Sequence, residues 1–399
     1  MPQISQKGWN LPQSAIRKLI PFADEAKARG TKVIHLNIGQ PDIETAQGAL
    51  DALRNTKIDV LAYAPGPGIM SYRKKLCEYY NRFGIELSPN EIIVTTGGSE
   101  ALQFAFTICF NPGDEILIPE PYYANYNTFA ALSDAVIKTI PSDIKSGFAL
   151  PPIEEFEKAI TPKTRAIMVC NPNNPTGYLY TKEEILKVAE IVKKHDLFLL
   201  ADEVYREFCY DGNEHFSVMS VPGIEQNVIL LDSVSKRYSA CGARVGSFIT
   251  RNKDVYAIAN RMAQGRLAAP SFGQIFAEAA VDTPNEYFAA VAKEYVARRN
   301  ALVEGINAIP GCFCPTPKGA FYTMIELPVD NTDEFCKWLL TDFSYNGETV
   351  MLAPGTGFYA NPEDGKHQAR ITYCLCIEDL KRGIKCLEEA LKLYPGRLK

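Results

Sequence analysis

Residues 165–205 read RAIMVCNPNNPTGYLYTKEEILKVAEIVKKHDLFLLADEVY. Two runs in this stretch, Arg165 to Cys170 and Leu197 to Ala201, have cores that are apolar at consecutive positions. A strand carries such a run when both its faces are covered, as in a parallel sheet flanked by helices. Between them, Lys182 to His195 is apolar at helical spacing and charged elsewhere. The order recurs outward, with similar two-sided runs at Glu91 to Thr95, Glu115 to Pro119 and Val228 to Leu231. Strand then helix, repeated, predicts an α/β fold with a mostly parallel central sheet covered by helices.

Further along, the pattern changes. Phe288 to Ile309 reads as one long helix closed before Pro310-Gly311. A strand is expected around Ala320 to Ile325, a helix around Thr332 to Leu340, and strands at Thr349 to Ala353 and Ala369 to Cys376. The last helix, Ile377 to Leu393, begins with acidic residues and ends near Pro395-Gly396, as the helix dipole favours. With 399 residues the chain exceeds one compact core. The expected division is a large domain over 41–287 and a smaller α+β domain formed by both chain ends, 1–40 together with 288–399.

The bulk composition excludes several functions. Hydrophobic residues are 46% and charged residues 22%, with a net charge of -5 and no basic block. Nucleic acid is therefore not the expected partner, because phosphate-backbone binding needs clustered Lys and Arg. Met1 to Trp9 lacks the apolar core of a secretory signal, and no apolar run approaches the roughly 20 residues that cross a bilayer. No membrane association is expected. The eleven cysteines are scattered. Cys312/Cys314 and Cys374/Cys376 are spaced as in strands, without a Cys-x2-Cys knuckle, so reduced thiols in a cytoplasmic protein are the expectation. The four histidines lack ligand spacing, so neither a metal nor a Ser/His/Asp triad is indicated. Gly355-Thr356-Gly357 is no dinucleotide fingerprint, since residues 361–365 cannot continue as the required helix.

In open α/β sheets, ligands bind beyond the carboxyl ends of the parallel strands. There the sequence offers Thr95-Thr96-Gly97-Gly98-Ser99-Glu100, glycines leading into a helix and thus an anion cradle. It also offers Asn171-Pro172-Asn173-Asn174-Pro175-Thr176-Gly177, Asp202-Glu203-Val204-Tyr205, Ser233-Val234-Ser235-Lys236 and Gly242-Ala243-Arg244. A phosphate cradle, an amide, an acid, a phenol, a lysine and an arginine gather on one edge.

These motifs, in this order and spacing, resemble the class I/II aminotransferases of fold type I, from about Asn37 to Tyr373. The resemblance implies a transaminase that moves an amino group between an L-amino acid and a 2-oxo acid on pyridoxal 5'-phosphate. Lys236 resembles the lysine that carries the cofactor and shuttles the proton, which requires its neutral amine. Asp202 resembles the acid that keeps the pyridine nitrogen protonated, so that the ring draws electrons. Tyr205 and Asn174 resemble the pair hydrogen-bonded to the cofactor's phenolic oxygen, and Tyr123 the aromatic ring stacked on the pyridine. Arg244, Ser233 and the backbone of Gly98 and Ser99 resemble the phosphate-binding set. Arg370 resembles the arginine that grips the substrate's α-carboxylate, and Gly39 the segment that covers it. Tyr63 resembles a tyrosine reaching the phosphate of a neighbouring subunit, which implies a homodimer with shared active sites; Arg266 is a looser match for a similar role.

Two positions depart from the family pattern. An aspartate-preferring subgroup has a basic residue where this chain has Ser99, which leaves an aspartate preference without that partner; Arg266 and Arg261 are the substitutes at hand. Arg237, after the lysine, is more polar than the residue often found there. The shared cofactor groups also serve β-elimination, because the pocket selects the bond that breaks. A cofactor-sensing regulator is the remaining reading, and the chain has no spare length for the helix-turn-helix that such regulators carry.

Overall fold

Successive side chains of the strand Thr164–Cys170 enter different cores: Ala166 and Met168 one, Ile167 and Val169 the other. Both faces of the sheet are therefore covered, which explains the unbroken apolar runs. The computed structural model describes residues 2–398. Met1 and Lys399, the ends of the ranges 1–40 and 288–399, lie outside the described residues.

Along the chain the strands are β1 (Lys32–His35), β2 (Ile92–Thr95), β3 (Glu115–Glu120), β4 (Val136–Pro141), β5 (Thr164–Cys170) and β6 (Phe198–Asp202). They continue as β7 (Val228–Ser233), β8 (Gly246–Ile249), β9 (Tyr322–Glu326), β10 (Glu348–Met351), β11 (Ala353–Pro354) and β12 (Gln368–Thr372). A seven-stranded sheet runs β2-β8-β7-β6-β5-β3-β4. Its neighbours from β4 to β7 are parallel, and β8 is antiparallel to both β7 and β2. The fold is thus α/β with a mostly parallel central sheet, as expected.

The helix Lys182–His195 shows why its ends were readable. Thr181 and Glu184 form a reciprocal capping box, and Asp196 closes the helix at φ 48°. The long helix covers Asn285–Asn307 and packs on the last helix, Ile377–Leu393. β1 pairs in parallel with β10, and β12 lies between β11 and β9 in a three-stranded antiparallel sheet. Among the described residues, no helix is long and apolar enough to cross a membrane.

Three expectations need correction. The apolar run over residues 349–353 serves two sheets, β10 on β1 and β11 on β12. β12 ends at Thr372, whose N–H donates to Leu36 O instead of to β11, and the bond from Tyr373 N–H to Phe321 O prolongs the β9 register by one. Cys374 and Cys376 therefore lie beyond the strand, and Cys312 and Cys314 flank an isolated bridge at Phe313. β4 and β8 had not been read from the sequence. β4 is a half-exposed edge strand, and β8 is only four residues long.

Candidate active site

The turn after β2 and the carboxyl ends of β5, β6 and β7 open into one cavity of about 680 Å³. At the end of β7, Ser233 caps the short helix Val234–Arg237, accepting from Ser235 N–H at 3.1 Å. That turn presents Lys236 to the cavity, where its Nζ donates to Gly39 O at 2.9 Å. Arg237 turns the other way. It is buried against Asp232 and Glu207, and Tyr80 donates to Asp232 at 2.5 Å. The polar residue after the lysine is thus matched by buried carboxylates behind the site.

Asp202 ends β6 and is buried. Its Oδ2 accepts from the Tyr126 hydroxyl at 2.8 Å. Burial raises the carboxyl to about 6, against the opposing Tyr126 hydrogen bond. Asn174, in the turn after β5, donates Nδ2–H to Tyr205 Oη at 3.3 Å. Tyr205 donates to Tyr322 Oη at 3.1 Å, and Tyr322 to Gly39 O at 3.4 Å. Burial, reinforced by Tyr322, pushes the Tyr205 phenol well above its usual range, so it remains a donor. Tyr123 borders the same space and accepts from Asn125 Nδ2 at 2.7 Å.

On the opposite wall, Arg370 projects from β12 and is 1% exposed. Its Nη1 donates to Asn174 Oδ1 at 3.0 Å and its Nη2 to Asn37 O at 2.6 Å. Its buried Nε has no partner among the described residues. The guanidinium lies 4.6 Å from the Tyr322 ring centroid. The Tyr322 hydroxyl fills the space that a Cβ on Gly39 would need.

The phosphate-type cradle lies at the N-terminus of the helix Gly97–Cys109. Gly97 has φ +73°, and a Cβ there would lie 2.5 Å from Arg244 Nη2. Glycine thus lets Arg244 lie against the turn, beside Gly98, Ser99 and Ser233 on the cavity wall. A ligand with an anionic group, an aromatic ring and a basic nitrogen meets complementary partners here. The nitrogen finds a buried carboxyl, the anion a cradle, and a carboxylate the orphaned Arg370 Nε.

Of the residues matched one by one to the family's catalytic, cofactor and substrate groups, Tyr63 does not border this cavity and the others do, the looser match Arg266 apart. Tyr63 is 82% exposed. Arg266 and Arg261 are not on the cavity wall either; Arg266 is held by Val94 O and Glu100. Sequence reasoning missed Tyr126, Tyr322 and Arg17. Tyr126 carried no local signal, since it opens the helix Tyr126–Ser133 and meets Asp202 only through the fold. Tyr322 looked like any aromatic residue in a strand.

Comparison with known proteins agrees with this architecture. The family model for aminotransferase class I and II matches residues 31–387. A putative aminotransferase, YugH, of Bacillus subtilis is 34% identical, the alignment covering 93% of this chain and 94% of that one. An aspartate aminotransferase of the same organism is 31% identical over the same shares. Among solved structures, an alanine aminotransferase from Pyrococcus furiosus is 29% identical with a TM-score of 0.90, covering 98% of this chain and 100% of that one. The Thermus thermophilus aspartate aminotransferase with maleate is 28% identical with a TM-score of 0.88, over 98% and 100%. With the family model spanning most of the chain and the same strand-edge constellation in place, this protein belongs to the class I and II aminotransferases and is a transaminase.

Proposed function

We propose that the chain transfers amino groups between an L-amino acid and a 2-oxo acid using pyridoxal 5'-phosphate bound covalently to Lys236. The observation that carries this reading is the convergence of Lys236, Asp202 and Arg370 on one cavity. When bound, the cofactor supplies an electron sink that stabilises the carbanion formed at the substrate's α-carbon. Lys236, as the free amine, would take the proton from that carbon and hold it on Nζ for return. Asp202, ionised by a cationic partner, holds the proton on the pyridine nitrogen. Tyr205 and Asn174 bind the phenolic oxygen, and Tyr123 covers the ring. Gly98 and Ser99 through their N–H groups, with Ser233 and Arg244, hold the phosphate. Arg370, Asn174 and the backbone at Gly39 bind the substrate carboxylate and orient the bond to be broken.

A homodimer fits the surface. Ile58, Val60, Leu61 and Tyr63 are all exposed on one short segment, as are Leu267 and Phe272. Such an apolar set is suited to a second copy, whose site Tyr63 then completes. The pairing of β1 with β10 supports a cofactor-binding domain over 41–287 and a second one from 1–40 with 288–399. Eleven free thiols suit a cytoplasmic location.

Borohydride reduction and peptide mapping test the reading directly. The expected product is a phosphopyridoxyl group on Lys236, and a label on another residue overturns the assignment. Mixing each amino acid with enzyme alone should bleach the cofactor's visible band without releasing ammonia. Release of ammonia without a 2-oxo acid would instead indicate elimination.

A further inference from the structure

Resting on the aminotransferase reading, we propose that Arg17 binds a second carboxylate on the substrate and selects amino acids with acidic side chains. The cationic side chains on the cavity wall are Arg17, Lys236, Arg244 and Arg370, against Asp202 as the carboxylate. The proposed function uses every one of these except Arg17. Among the described residues, the Arg17 guanidinium has no hydrogen-bond or ion-pair partner.

The backbone that carries it is well held. Asn37 Nδ2–H donates to Ile16 O at 3.3 Å, and Asn37 O in turn accepts from Arg370. Arg17 is therefore mounted on the wall that grips the α-carboxylate. Lys18 pairs with Asp333, whose Oδ2 also accepts from Thr356 at 2.5 Å. Ala15 packs so closely on Gly357 that a Cβ at Gly357 would lie 2.0 Å from the Ala15 Cβ. This gives the Gly355-Thr356-Gly357 turn a function other than nucleotide binding: it seats the segment that carries Arg17. Arg17, Arg370 and Tyr123 line the same cavity. Arg17 itself is exposed, on a backbone held at Ile16, and an unpaired guanidinium mounted in this way at a cavity wall can grip a carboxylate with two hydrogen bonds. With Ser99 in the phosphate turn, and with Arg266 held by Val94 and Glu100, Arg17 is the cation left for that task.

The test uses the holoenzyme and two probes of equal carbon count, succinate and butyrate, with binding followed through the cofactor's absorption. In Arg17→Met the dissociation constant for succinate should rise about 30-fold, the loss expected for hydrogen bonds to a charged group. That for butyrate should change less than about twofold, the usual scale for a surface substitution. The kcat/KM ratio of L-glutamate or L-aspartate to L-alanine should fall by a similar factor, and Arg17→Lys should restore part of it. Equal changes for both probes, no change for either, or weakened cofactor retention would overturn the assignment. If no amino acid bleaches the wild-type cofactor band, the aminotransferase reading itself fails, which is a different result.

Discussion

The cavity has two walls of different construction. One consists of turns that follow parallel strands, and it supplies Gly98, Asn174, Asp202, Tyr205 and Lys236. The other consists of side chains within antiparallel strands, Tyr322 on β9 and Arg370 on β12, joined by segments near the N-terminus that carry Arg17 and Gly39. The first wall is fixed by a sheet buried on both faces and holds the groups proposed to handle the cofactor. The second presents the groups proposed to recognise substrate. Damage to the first wall should therefore stop turnover for every substrate, whereas damage to the second should change which substrates are captured and how tightly.

The sharpest test of the first wall is Lys236→Ala. Turnover should fall at least about 10⁴-fold for all amino donors, because the proposed function makes this residue both covalent anchor and proton carrier. Stopped-flow measurement of the half-reaction checks this. A loss confined to one donor would break the distinction between the walls.

Asp202→Asn comes next, with a drop of roughly 10²- to 10³-fold, the scale for losing one preorganised charge in a buried site. The same residue gives a pH signature in the cofactor-free protein. Burial raises its carboxyl from 3.8 to about 6. Between those values the folded chain holds a proton that the unfolded chain has released. The group's contribution to stability is therefore fully present below its unfolded value and declines as pH rises through about 6, by about 3 kcal/mol. Glu203 and Glu207, both raised to about 7 by burial, act in the same direction, so the measurement has to be a difference. Urea unfolding of wild type and Asp202→Asn, at about pH 4 and about pH 7, should show the wild type losing that increment relative to the variant. A pH-independent difference would remove Asp202 as the buried acid.

On the second wall, Arg370→Lys keeps the charge but loses the two-pronged geometry. Its kcat/KM should fall about 10²-fold, mostly through KM, with cofactor retention unchanged. Steady-state kinetics alongside cofactor absorbance separates the two effects. A variant that loses cofactor would show that the walls are not separable.

The same contrast explains what could be read from the sequence. First-wall residues directly follow two-sided apolar runs, where an α/β sheet must place its ligand, so Lys236, Asp202 and Asn174 stood out by position. Arg370 on the second wall was found only through its family resemblance, and Tyr322 not at all. In a strand the side-chain direction alternates, and nothing local says which face borders a cavity. Arg17 was hidden for another reason: its place depends on contacts to Asn37, Asp333 and Gly357, far along the chain. β4 escaped because an edge strand with half-exposed alternation lacks the apolar continuity that marked its neighbours.

Tyr322 stands where the walls meet, so its substitution is the finest test of the division. Its hydroxyl accepts from Tyr205 on the first wall and donates to Gly39 O on the second, while its ring faces Arg370. Burial holds the phenol above its usual range, so it stays a neutral hydroxyl at working pH. Tyr322→Phe keeps the ring and its packing on Arg370 and removes only the two hydrogen bonds, each worth about 1 kcal/mol. The expected result is a fall in kcat/KM of no more than about 30-fold, shared between kcat and KM, because the lost hydroxyl touches both walls. A loss confined to KM would place Tyr322 with the recognition wall. A fall of about 10³-fold in kcat would place it with Lys236 and Asp202, and the boundary between chemistry and recognition would then run through β9.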